Sequence, residues 1–117
     1  MENFRIKGTY GEDMACKFLR DNGYTIIRRN YYIKGGEADI IALDNDTLCF
    51  IEVKMRLNAK FGTSFSQITK TKIKRLIHVA RYFLYTNRQF ENYNVRFDVV
   101  GIDGDNIELI KNAFDAY

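Results

Sequence analysis

Two strand-like segments carry the residues best suited to chemistry. Gly36-Glu37-Ala38-Asp39-Ile40-Ile41 is followed, across a turn, by Phe50-Ile51-Glu52-Val53-Lys54. Side chains on a strand alternate between faces, so Phe50, Glu52 and Lys54 share one face while Ile51, Val53 and Met55 share the other. A strand this apolar with two charges on one face is energetically odd. A buried carboxylate or ammonium needs a counter-charge, a metal or a wet cleft.

The turn signal Asp44-Asn45-Asp46-Thr47 sets the register between the two strands. With Asp44 facing Thr47, the numbers of every cross-strand pair sum to 91. Asp39 then faces Glu52 and Glu37 faces Lys54, with Cβ atoms about 5 Å apart on one face. Neighbouring carboxylates repel unless a proton or a cation lies between them. Oxygen donors without His or thiolate match a hard cation, Mg2+ or Mn2+. A one-residue slip would put Glu52 on the opposite face from Asp39. The alternative is that both pairs make ordinary surface contacts on an exposed sheet face.

Composition closes off other chemistry. One His and two Cys cannot build a four-cysteine or two-cysteine, two-histidine zinc site, or an H-E-x-x-H helix. No phosphate-binding G-x-x-x-x-G-K-[ST], dinucleotide-binding G-x-G-x-x-G or hydrolase G-x-S-x-G is present. Cys16 and Cys49 lack C-x-x-C spacing and read as buried, reduced thiols of a cytoplasmic protein. Residues 1–8 carry no apolar signal region, and no stretch approaches the ~18 apolar residues of a membrane helix. Asn45-Asp46-Thr47 fits a glycosylation triplet but reads as a turn.

Charge is unevenly spread over the 117 residues. From Val53 to Phe90 there are nine Lys and Arg (54, 56, 60, 70, 72, 74, 75, 81, 88) and no acid, while all fifteen Asp and Glu lie outside that block. A block of one sign points to a polyanionic partner, or to a solvated helix face on a mildly basic protein.

The elements that must hold these residues follow from periodicity. Residues 9–22 form a helix with Met14, Ala15, Phe18 and Leu19 on one face and Gly23 ending it. Thr9-Tyr10-Gly11-Glu12 reads as its capping box. Tyr24 to Ile33, Glu37 to Leu43 and Leu48 to Met55 are strands. A loop with Gly62 leads to a long helix from about Ser66 to Thr86, with Ile73, Leu76, Ile77, Ala80, Phe83 and Leu84 on its buried face. Val95 to Ile102 and Ile107 to Ile110 are the last strands. The chain is expected to be one α+β domain over 1–117, its helices packed on a sheet.

Together, Gly11-Glu12, Gly36-Glu37-Ala38-Asp39-Ile40-Ile41 and Phe50-Ile51-Glu52-Val53-Lys54 resemble the PD-(D/E)xK nuclease superfamily. With Phe61-Gly62, Ile68-Thr69-x-x-Lys72, Arg96-Phe97-Asp98-Val99-Val100 and Ile110-Lys111-x-Ala113-Phe114, the chain looks like the bacterial YraN family from about Gly8 to Phe114. The resemblance implies a restriction-endonuclease-like αβββαβ core, a mixed central sheet flanked by helices, related to archaeal Holliday-junction resolvases. It implies Asp39, Glu52 and the Val53 carbonyl as metal ligands, with Lys54 acting on the attacking water and the phosphorus. Glu12 would be the outer acidic residue, although its capping-box role competes with this. Ala38 stands where the superfamily name has proline, and Gln67 matches only loosely the polar residue some relatives place after E-x-K.

The expected function is a Mg2+- or Mn2+-dependent nuclease acting on nucleic acid, DNA rather than RNA, with branched or structured DNA among its substrates. Lys70, Lys72, Lys74, Arg75, Arg81 and Arg56 would meet backbone phosphates. Two other classes stay open: a nucleic-acid-binding module without turnover, and an assembly protein whose basic helix meets an acidic partner. No membrane partner is expected, a homodimer fits the size of the chain, and His78 reads as a surface residue.

Overall fold

In the computed structural model, residues 2–56 and 68–115 are described, with side chains over 10–55 and 68–115. Helix α1 (Glu2–Asp21) precedes strands β1 (Thr25–Ile33), β2 (Gly36–Asp44) and β3 (Thr47–Arg56). Helix α2 (Lys70–Thr86) and a short 3-10 turn at Arg88–Phe90 lead to β4 (Asn94–Asp103) and β5 (Asn106–Ile110). The strands form one five-stranded sheet in the order β1-β2-β3-β4-β5. β3 and β4 run parallel and the other neighbours antiparallel. This is the mixed α+β sheet and αβββαβ core expected from the sequence, with β5 added at one edge.

The sheet separates two apolar layers. Ala15, Cys16 and Leu19 of α1 pack on Ile40, Ala42, Cys49, Ile51, Val100 and Ile102. Leu76, Val79, Ala80 and Phe83 of α2 pack on Ile41, Leu48, Phe50 and Phe97. Phe83 is the hub of the second layer, meeting Phe50 edge-on at 5.8 Å and Tyr31 edge-on at 5.4 Å between ring centroids. Such edge-to-face pairs add to the stabilisation from buried area alone. Both cysteines are buried free thiols. Burial pushes Cys16 up and takes Cys49 to about 12, so neither is a reactive thiolate at neutral pH.

Two helix starts differ from expectation. α1 begins at Glu2, so Thr9 is inside it and cannot be its N-cap. The Glu12 of the supposed capping box is used elsewhere. α2 begins at Lys70 rather than near Ser66, which lies outside the described residues. Thr69 is the N-cap, its hydroxyl accepting the Lys72 N–H at 3.2 Å. The buried face of α2 includes Val79, while Ile73, Ile77 and Leu84 are half-buried. Val79 is enclosed because the β1–β2 turn comes close. A Cβ on Gly36 would stand 2.7 Å from the Arg75 carbonyl oxygen and 2.8 Å from Val79 Cγ2. Only glycine lets the strand approach the helix at that point.

A buried polar network ties the C-terminal end of α1 to β4. Asp98 is fully buried. Its Oδ1 accepts from Arg96 Nε at 2.8 Å and from the Asn112 N–H at 2.9 Å. Its Oδ2 accepts from Arg96 Nη2 at 2.9 Å and from the Tyr24 hydroxyl at 3.0 Å. Arg96 Nη2 also donates to Asp44 at 2.8 Å, and Lys111 donates to the same carboxylate at 3.2 Å.

Candidate active site

The β2–β3 hairpin has the register that the turn residues set. Asp44 pairs with Thr47, and the ladder continues to Ile40 with Ile51. Asn45 takes the left-handed conformation (φ 57°) that a tight two-residue hairpin turn requires. The ladder ends there, one step short of Asp39 and Glu52, and alternation breaks at Asp39: Ala38 packs in the α2 layer and Ile40 in the α1 layer. Beyond the ladder the Asp39 carboxylate itself takes the Val53 N–H, with Oδ2 at 2.7 Å. Carboxylate and backbone are thereby locked together at the point where the two strands stop pairing.

Glu52 is 7% exposed. Its Oε1 accepts from Lys72 Nζ at 2.6 Å, a charge-assisted hydrogen bond from the first turn of α2. Burial, then the neighbouring Glu52 charge, push the Asp39 carboxyl up to about 7, with Glu37 adding to the rise. The Val53 N–H and Lys72 pull the other way. For Lys72, burial disfavours the ammonium, but the Glu52 hydrogen bond and the charges of Glu52, Asp39 and Glu37 hold it above its ordinary value. Asp39, Glu52, Glu37 and Lys72 therefore share one electrostatic site.

The other expected site residues are placed as follows. Lys54 is half-buried on β3, two residues beyond Glu52 and on the same face by alternation. Glu37 is exposed at the start of β2. Glu12 is buried on α1, and its Oε1 accepts from Arg29 Nε at 3.0 Å and Asn30 Nδ2 at 2.8 Å, both on β1. The structure thus ties Glu12 to β1 rather than to the Asp39–Glu52 pair by any hydrogen bond described. Lys70, Lys74, Arg75 and Arg81 are exposed on α2. Lys72 alone of the expected phosphate-binding cations on that helix is turned into the carboxylates. Arg56 ends β3 with its side chain outside the described residues, and Gln67 lies outside them altogether. His78 is on the surface, its Nε2 3.1 Å from the Lys34 carbonyl oxygen.

Lys72 is the site residue that periodicity makes visible in retrospect. Positions 72, 76, 79, 80 and 83 share the inward face of α2, so a lysine there points at the sheet. Replacing it by methionine should leave the buried Glu52 beside Asp39 without its Lys72 partner. The expected loss is about 1–3 kcal/mol at pH 7, below the full cost of breaking a buried pair because the Lys72 side chain is 50% exposed. Glu52→Gln in the same chain should restore most of it in denaturant unfolding. No loss in the single variant would show that the pair contributes nothing.

The donor set fits a hard divalent cation. Mg2+ is commonly held through one or two carboxylates, with water or substrate oxygens completing its shell. Asp39 and Glu52 offer that, with mutual repulsion that a cation would relieve. Among the described residues, no three His, Cys, Asp or Glu converge as a metal-binding group, so a cation here would rest on these two carboxylates and on backbone, water or phosphate oxygen. Among the described residues no helix is long and apolar enough to cross a membrane.

Comparison with known proteins gives one family. Residues 11–102 match the family described as "Uncharacterised protein family UPF0102". The chain is 44% identical over 115 residues to a UPF0102 protein of Lachnoclostridium phytofermentans, covering 98% of both chains. It is 41% identical over 110 residues to one of Persephonella marina, covering 94% of each. A UPF0102 protein of Francisella tularensis is 44% identical over 108 residues, with 92% of each chain covered. The five-stranded mixed sheet with its two helices agrees with the coarser PD-(D/E)xK placement, and the chain belongs to the UPF0102 (YraN) family.

Proposed function

We propose that this chain is a metal-dependent nuclease that hydrolyses phosphodiester bonds in nucleic acid, DNA rather than RNA, in the cytoplasm. The observation that carries the reading is the pair of carboxylates, Asp39 on the Val53 N–H and Glu52 on Lys72, whose charges act on one another beside a helix that has no acidic residue. Asp39, Glu52 and the Val53 carbonyl would hold Mg2+ or Mn2+, which would supply Lewis acidity toward a phosphate oxygen and the attacking water. The rest is the work of the chain's own groups. Lys54, on the Glu52 face of β3, sets a compact cation where charge develops on the phosphoryl oxygens. Lys72 balances Glu52 until a second cation or a phosphate enters. Glu12 would orient a more distant water from α1. Lys70, Lys74, Arg75 and Arg81 would hold backbone phosphates and fix the register of the strand being cut. A homodimer would let two such sites act on a branched substrate.

A cleavage panel of branched, single-stranded and duplex DNA and RNA tests the proposal. Scission should appear with Mg2+ or Mn2+ and vanish in EDTA. One observation favours a second reading, a nucleic-acid-binding module: the Lys72–Glu52 ion pair leaves the carboxylates partly balanced without a metal. Binding without cleavage across the whole panel would establish that reading instead. On either reading, affinity should fall steeply with salt, and Lys70→Ala with Lys74→Ala should flatten the slope of log affinity against log salt by about 1 per lost phosphate contact. A salt-independent affinity would remove phosphates as the source of binding.

A further inference from the structure

α2 carries aromatic rings that neither the fold nor the carboxylate site uses. Tyr82 is 45% exposed and Tyr85 is 74% exposed, while Leu76, Val79, Ala80 and Phe83 of the same helix are buried. At 100° per residue, Lys74, Arg81 and Tyr85 lie on the side of α2 turned away from the sheet, with Tyr82 on its shoulder. The helix spans Lys70–Thr86 and has no Asp or Glu. Its outward side therefore carries cations and, toward its C-terminal end, two flat rings, with no acid of its own to repel a polyanion.

The chemistry of that side selects among partners. A second copy of this chain in a two-fold pairing over α2 would set the same cations against each other. A lipid surface needs aliphatic or aromatic bulk to insert below the headgroups, and the outward side offers two tyrosines among charged residues. A duplex presents phosphates but keeps its base faces stacked inside. Unpaired bases expose π-faces, and phosphates interleaved with stacking rings are how sequence-tolerant single-strand binding works.

We infer that the outward side of α2 is a platform for single-stranded nucleic acid, where Tyr82 and Tyr85 stack unpaired bases and Lys74 and Arg81 hold the adjoining phosphates. The inference rests on the proposed reading of α2 as a phosphate-binding helix and adds the substrate class, a strand with unpaired nucleotides. Position 72, at the carboxylates, and position 85 are roughly 20 Å apart along the helix axis at 1.5 Å per residue. A strand leaving Glu52 would have to round the first turn of α2 to reach that outward side.

The test is run in EDTA, so that it does not depend on cleavage. The chain contains no Trp, and Tyr85→Trp gives it one indole. A single-stranded oligonucleotide should quench that emission saturably, and the same sequence as a blunt duplex should not. Tyr82→Ala with Tyr85→Ala should weaken single-strand affinity about tenfold or more and duplex affinity less than twofold. Phe at both positions should retain the wild-type preference. Thermal unfolding of the Tyr85→Ala single variant should match wild type, since that ring is 74% exposed. Equal losses for single strand and duplex, no loss, or no single-strand binding by the wild type would each overturn the inference. A wild type that binds and quenches as stated but cuts nothing with Mg2+ or Mn2+ overturns the nuclease reading and leaves the platform standing.

Discussion

In EDTA at pH 8, Asp39→Asn should unfold at a higher urea concentration than wild type, and the gap should close as the pH falls toward 4. The Asp39 carboxyl is pushed up from 3.8 to about 7 in the folded chain, by burial first and then by Glu52. Between those values the folded state keeps a proton that the unfolded state has released, so wild-type stability falls as the pH rises. Above about 7 the whole penalty is present, with an upper bound of about 4 kcal/mol. An amide oxygen still accepts the Val53 N–H and carries no charge, so the variant escapes the penalty. Saturating Mg2+ should reverse the order, because only the wild type gains stability from binding it. Metal-dependent cleavage should drop about a thousandfold or more, since a neutral amide is a poor ligand for Mg2+. Nucleic-acid affinity in EDTA should hold or tighten with one fewer negative charge. An Asn variant less stable than wild type at pH 8 would show that the Asp39 charge is accommodated without cost.

The largest loss of stability is expected from Arg96→Met. Asp98 is fully buried and meets Arg96 through two hydrogen bonds, 2.8 Å at Oδ1 and 2.9 Å at Oδ2. Without the guanidinium, a carboxylate inside the sheet keeps the Tyr24 hydroxyl and the Asn112 N–H but no counter-charge. Removing one partner of such a pair costs about 3–5 kcal/mol. Asp98→Asn added to Arg96→Met should recover much of the loss, because the charge goes and polar partners remain. Denaturant unfolding of the two single variants and the double variant measures the coupling. A loss below about 1 kcal/mol for Arg96→Met would mean that water reaches Asp98.

The register of the hairpin that carries the carboxylates is legible in its turn residues. Asp44-Asn45-Asp46-Thr47 admits one tight hairpin, and the strands keep its register from Asp44 with Thr47 to Ile40 with Ile51. What escaped was tertiary. T-x-x-E is enough to look like a capping box, and only the neighbouring strand shows that Glu12 is held by Arg29 and Asn30. Lys72 was placed with the phosphate-binding cations of α2 because its type fits them, although its position beside Leu76 and Phe83 on the inward face argued otherwise. Asp98 stands in Arg96-Phe97-Asp98-Val99-Val100, as isolated among apolar residues as Glu52 is on β3. A lone acid in so apolar a strand needs a partner, as Glu52 does. Its answer was an arginine two residues away on the same face, where Glu52 drew a lysine from another element.

The strictly sequential strand order has a kinetic consequence. β1, β2 and β3 meet through short connections, while β4 must wait for α2 to cross before it can lie parallel on β3. Pairings of low sequence separation close first and long crossovers later. The local β2–β3 hairpin can therefore pair before α2 packs and brings Lys72 to Glu52. The ion pair that balances the finished site thus forms late and also fastens α2 to β3.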